Sequence, residues 1–213
     1  MNNMVLSQSI KNTIERLIGS VSVEDIYSPE EIAHAEQVLG NNLPPVLKDL
    51  YLYAGKNELL MTSFNEFALP DQLYLSEEKV VFLLENQGVC IWAFDRFGDD
   101  PIVYQQPHGD KQWYSEEVTL SEFLNIMLYC QCAQQGYKYI GMLGIDNKSL
   151  TDILAAEWEE VVRHNGLCIW WKPDCLVWYL YEQNNEIDDC VYLSVKTKKS
   201  YMEHKQKFNL MEL

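Results

Sequence analysis

The first periodicity along the chain lies at residues 4–18, where Val5, Leu6, Ile10, Ile14, Leu17 and Ile18 recur at helical spacing and Gly19 supplies a stop. The next helix start is marked more sharply. In Ser28-Pro29-Glu30-Glu31, Ser28 fits the N-cap, Pro29 the first helical position and Glu31 the third, where it partners Ser28 in a capping box. Ile32, Ala35, Val38 and Leu39 continue as an apolar stripe, and Gly40 suits the left-handed position after the helix end. Leu43-Pro44-Pro45 opens a third helix through Leu47, Leu50, Tyr51 and Ala54 to Gly55, because proline is tolerated at a helix start and not inside it.

Beyond Gly55 the period shortens. Lys79–Glu85 and Gly88–Phe94 are short apolar runs joined by Glu85-Asn86-Gln87-Gly88, which predicts a hairpin. Both runs are apolar on both faces, so they belong in the middle of a covered sheet. Asp95–Pro101 reads as a loop, Ile102–Tyr104 as a short strand, Pro107–Asp110 as a turn and Gln112–Tyr114 as a further strand. Thr119, with Glu122 three residues on, starts a helix through Phe123, Leu124, Ile126, Met127, Tyr129 and Cys130, ended by Gly136. From Tyr137 a second unit begins. Ile153, Leu154, Trp158, Val161 and Val162 predict a helix over Thr151–Arg163 with Gly166 as its stop. Leu167–Trp171, Leu176–Tyr181 and Cys190–Val195 read as strands, and the basic tail from Lys198 as a short final helix. Gly88–Trp92 and Gly166–Trp170 share a pattern too short to define a repeat. The expected class is α+β, with an amphipathic helix at 1–25, a core at 26–136 and an α+β extension at 137–213 packed on that core.

Charge changes the picture. The chain has 213 residues with 32 acidic and 16 basic side chains, a formal net charge of −16. Such a surface repels nucleic acid and anionic lipid, which both need Lys and Arg to neutralise phosphate. It attracts basic partners and speeds their approach. The alternative is that the charge serves solubility alone. No apolar run approaches the length of a bilayer span, and the N-terminus lacks the pattern of a signal peptide, so a soluble, cytoplasmic protein is expected.

Catalytic and metal chemistry find no motif. His34, His108, His164 and His204 are scattered, Cys130 and Cys132 point apart on a helix, and neither CxxC nor HExxH occurs, so no metal site is expected. Cys90 and Cys168 sit in apolar strands, the wrong setting for a thiolate nucleophile. Gly141-Met142-Leu143-Gly144 lacks the spacing and Lys of a phosphate loop. No catalytic residue, cofactor or enzymatic activity is expected.

The order of signals between Ser28 and about residue 135 resembles the SUKH superfamily. The matching residues are Ser28-Pro29-Glu30-Glu31-Ile32 with Ala35-Glu36 and Leu39-Gly40, then Leu43-Pro44 and Leu50-Tyr51. Glu85-Asn86-Gln87-Gly88-Val89-Cys90-Ile91-Trp92 follows as the central hairpin, then Pro101-Ile102-Val103-Tyr104, and Thr119-Leu120-Ser121-Glu122-Phe123-Leu124 as the closing helix. Ala54-Gly55-Lys56-Asn57 stands where the family usually has Asn-Gly. The resemblance covers about half the chain. It implies helices on a mostly antiparallel, curved sheet and no catalytic residues. It also implies a binding role, either as a bacterial immunity protein that neutralises a toxin, often a nuclease, or as a regulatory or scaffold protein like the fungal cell-wall-assembly regulators.

A binding role asks for acidic groups beside aromatic anchors. Asp95, Asp99, Asp100, Asp110, Glu116 and Glu117 beside Trp113 and Tyr114 supply them, and are the expected contact residues for a protein partner, a basic toxin domain.

Overall fold

Ser28 acts as its context predicts. Its hydroxyl accepts from the Glu31 amide (3.2 Å) while the Glu31 carboxylate accepts from the Ser28 amide (2.7 Å), so two donors at the helix start are satisfied reciprocally. Gly40 closes the same helix at φ 64°, a conformation that costs glycine little. The computed structural model describes residues 2–144, 147–182, 184 and 186–212. The protein is α+β, with seven α-helices and two open antiparallel sheets among these residues. It divides into two compact units, Met1–Leu128 and Tyr129–Leu213.

In the first unit the helices are α1 (Asn2–Ile18), α2 (Pro29–Leu39), α3 (Pro45–Ala54) and the short α4 (Glu58–Met61). The strands follow as β1 (Glu66–Phe67), β2 (Tyr74–Ser76), β3 (Lys79–Leu84), β4 (Cys90–Asp95), β5 (Ile102–Pro107) and β6 (Tyr114–Thr119). Helix α5 (Leu120–Gln131) leaves the last strand. The sheet order is β1-β3-β4-β5-β6, with β2 pairing the half of β3 that β1 does not. The β3–β4 hairpin is therefore central, as its two-sided apolar pattern requires. A bulge at Phe82 breaks its register, which passes from Val81↔Ala93 to Leu83↔Trp92. Phe82 is wholly buried between the rings of Phe67, Phe94 and Phe123 (centroids 6.4, 5.5 and 6.0 Å). Ile10, Ile14 and Leu17 of α1 and Leu47, Leu50 and Tyr51 of α3 complete this core. The side chains of Val5 and Leu6 lie outside the described residues.

The second unit holds β7 (Tyr139–Met142), α6 (Asn147–Glu157), β8 (Glu159–His164), β9 (Leu167–Lys172), β10 (Cys175–Tyr181), β11 (Ile187–Val195), α7 (Lys198–Phe208) and β12 (Met211–Glu212). The strand order is β12-β7-β11-β10-β9-β8. Leu150 and Leu154 of α6 and Tyr201 and Phe208 of α7 bury Val177, Tyr179, Leu193 and Val195 on one face.

Two expectations need correction. The helix expected over Thr151–Arg163 ends at Glu157, and Glu159–His164 is an edge strand paired with β9. Asn165 and Gly166, at φ 43° and 82°, form the tight turn between them. An Asn-Gly pair with β-branched Val161-Val162 before it is a hairpin signal, and it outweighs an apolar stripe that satisfies both periods. The strand expected at Gln112–Tyr114 instead begins at Tyr114 and runs to Thr119. Glu116 and Glu117 therefore lie inside a strand, at an irregularity where the register with β5 shifts and Glu117 takes φ 60°.

Candidate partner-binding surface

Acid is distributed unevenly. Residues 1–128 carry 20 acidic and 7 basic side chains, whereas residues 129–213 carry 12 and 9. Most of the net negative charge, −13 of −16, belongs to the first unit, which also holds every expected contact residue. Within that unit the fold assigns those eight residues to different tasks.

Asp95 ends β4 and is locally neutralised. Its carboxylate pairs with the Lys79 ammonium at 2.6 Å and accepts from the Tyr104 hydroxyl at 3.1 Å. The same ammonium lies 3.4 Å from the centroid of the Tyr104 ring. Asp100 caps α5, accepting from the Ser121 amide (2.8 Å) and hydroxyl (2.7 Å), where an anion also suits the positive end of the helix. Replacing Asp100 with Ala is expected to cost about 1–2 kcal/mol, read as a lower denaturant midpoint with faster amide exchange in the first turn of α5. An unchanged midpoint would show that the cap carries no weight.

Glu116 is only 7% exposed, and its carboxylate accepts from the Trp92 indole N–H at 2.7 Å. It is a buried hydrogen-bonding group and does not belong to the surface. Glu117, next along, is exposed. At the opposite end of the β5–β6 hairpin, Asp110 accepts from the Gln112 amide (3.0 Å) and the Tyr114 hydroxyl (3.0 Å). The Gln112 amide is the main reason that its carboxyl sits below the usual range, with the Tyr114 hydroxyl next. Asp110 consequently stays ionised at neutral pH, and its bond raises the Tyr114 hydroxyl in turn. Tyr114 is 45% exposed, while Trp113 is half-buried with its indole nitrogen out of contact with solvent.

The expected residues thus form two clusters and not one. A six-residue strand, β5, separates the Asp95–Asp100 loop from the Asp110–Tyr114 turn, a span of about 17–20 Å. Exposed carboxylates without a partner among the described residues remain at Asp99 and Glu117. One exposed residue was missed. Phe97, between Arg96 and Gly98, is 71% exposed. The signal was an aromatic residue inside an Asp- and Gly-rich loop, where no core position is available to it.

The buried thiols are poor nucleophiles. Burial is the main cause that raises Cys90 and Cys168, and it pushes Cys130 up to about 12. Among the described residues no group of three or more His, Cys, Asp or Glu side chains is placed to hold a metal ion. Nor is any described helix long and apolar enough to cross a membrane. Comparison of the chain with family models, curated proteins and solved structures finds no match.

Proposed function

We propose that this chain is an immunity-type binding protein, of the SUKH kind its motifs resemble, that neutralises a cognate toxin in the cytoplasm by covering its surface. The partner is a basic protein domain, and a nuclease fits best, because a surface shaped to hold phosphates also accepts fixed carboxylates. The observation that carries this reading is the concentration of acid on the first unit, 20 acidic against 7 basic side chains. Asp99, in the loop after β4, and Glu117, in β6, present exposed carboxylates there. Occlusion by a rigid acidic surface needs no catalytic group.

The test is protection in cells. Each basic product of the genes adjacent to this one is expressed alone and together with the chain. Restored growth with one of them, together with co-purification of the two proteins, is the expected result. Growth arrest that the chain never relieves, with no complex formed, would refute the proposal.

A further inference from the structure

The Asp95–Asp100 loop combines two features that do not usually coincide: it is tightly held, and it leaves an aromatic ring in water. The Arg96 amide donates to the Glu78 carbonyl (3.1 Å) and the Leu120 amide to the Pro101 carbonyl (2.8 Å). The Asn41 side chain donates to the Arg96 carbonyl (2.6 Å), and the Arg96 guanidinium to the Gly40 carbonyl (3.2 Å). Asp100 is fixed by its two bonds from Ser121. The loop is therefore anchored to α2, to β3's approach and to α5. Yet Phe97 at its tip is 71% exposed, with the Arg96 guanidinium 5.5 Å from the ring centroid. A phenylalanine gains from burial, and this fold denies it that gain. Because the loop is already ordered, a partner that buries the ring meets little ordering cost.

The same guanidinium connects Phe97 to a concavity. A hollow of about 460 Å³ lies at the C-terminal end of α2, lined by Ala33, Glu36, Gln37, Gly40, Asn41 and Asn42. Its one carboxylate, Glu36, pairs with Lys48 at 3.1 Å and accepts from the Leu43 amide at 2.8 Å, and the Arg96 guanidinium donates to the Gly40 carbonyl, so the charge of the hollow is met within the fold. Asp99 adds an exposed, unpartnered carboxylate two residues from Phe97. The unit around it carries 20 acidic and 7 basic side chains, so the charge complement of this surface is basic.

We infer that Phe97 is the anchor of the docking surface, inserting into an apolar pocket of the partner whose rim presents Lys or Arg to Asp99. This rests on the binding reading above. It places the principal contact at the Asp95–Asp100 end of the β5–β6 hairpin, not at Trp113 and Tyr114. The partner class is a protein with a cationic, pocketed surface, such as a phosphate-binding cleft.

The test uses the full chain and the basic adjacent-gene product that the wild-type chain captures. Phe97→Ala is expected to raise the Kd at least roughly 30-fold, mainly through faster dissociation. Asp99→Lys, which reverses the exposed carboxylate two residues from Phe97, weakens the complex at low salt and less so at high salt. Val23→Ala, an exposed apolar change remote from this loop in sequence, leaves the Kd within about twofold. Equal thermal melting of all four proteins establishes that each is folded. Wild-type-like binding by Phe97→Ala would overturn the anchor and leave the binding reading intact. Failure of the wild-type chain to capture any basic product would overturn both.

Discussion

Phe82→Ala is expected to remove about 3–5 kcal/mol of stability, the largest single loss in the first unit. The ring is wholly buried and touches three other aromatic rings, on β1, β4 and α5. The three ring neighbours are themselves bulky and buried, so the lost transfer energy and the cavity add. The bulge gives the substitution a second consequence. Phe82 is the residue by which β3 steps out of simple alternation between Val81↔Ala93 and Leu83↔Trp92. Without the ring the bulge loses its anchor, and Trp92, whose indole holds Glu116, is freer to shift. Urea denaturation followed by far-UV circular dichroism reads the loss. A cost below about 1 kcal/mol would mean that the four-ring cluster is not the core.

Reversing Asp99 and Glu117 to Lys is expected to slow association with a basic partner about tenfold at low salt. Neither carboxylate has a partner among the described residues, so the exchange breaks no internal contact. The effect should shrink at high salt, because screening removes steering before it removes packing. The same exchange at Asp95 and Asp100 would act differently. It would leave Lys79 beside a like charge and strip the cap from α5, so it would lower stability as well as rate. Stopped-flow association with melting curves separates the two pairs. Equal rates for the Asp99/Glu117 variant and the wild type would show that these charges do not steer.

The features legible in the sequence were those written in neighbouring residues. Ser28 and Glu31 are three positions apart, and Thr119 and Glu122 repeat the arrangement, with the Thr119 amide donating to the Glu122 carboxylate at 3.0 Å. The β3–β4 hairpin was readable because two apolar runs flank one turn. The two- and four-residue strands β1, β7 and β12 were not, since so few positions hold no period. Strand β8 was misread because Trp158, Val161 and Val162 satisfy a helical stripe as well as a strand.

The site was less legible for a related reason. The acids were visible, but their partners were remote. Lys79 lies 16 residues from Asp95, Ser121 lies 21 from Asp100 and Trp92 lies 24 from Glu116. Only the fold decides which carboxylate is neutralised, which caps a helix, which is buried and which faces water. The exposure of Phe97 has the same origin. It depends on Arg96 being tied to Gly40 and Asn41, more than 50 residues earlier.

On the binding reading proposed above, the acidic first unit receives a basic protein. The most direct measurement is the association rate constant between the wild-type chain and a basic adjacent-gene product, taken across ionic strength from about 0.01 to 1 M, where the screening length falls from roughly 30 to 3 Å. A tight complex is expected, whose association slows by at least about tenfold over that range while its dissociation changes little. A complex whose association is indifferent to salt, or no complex with any adjacent product, would contradict it.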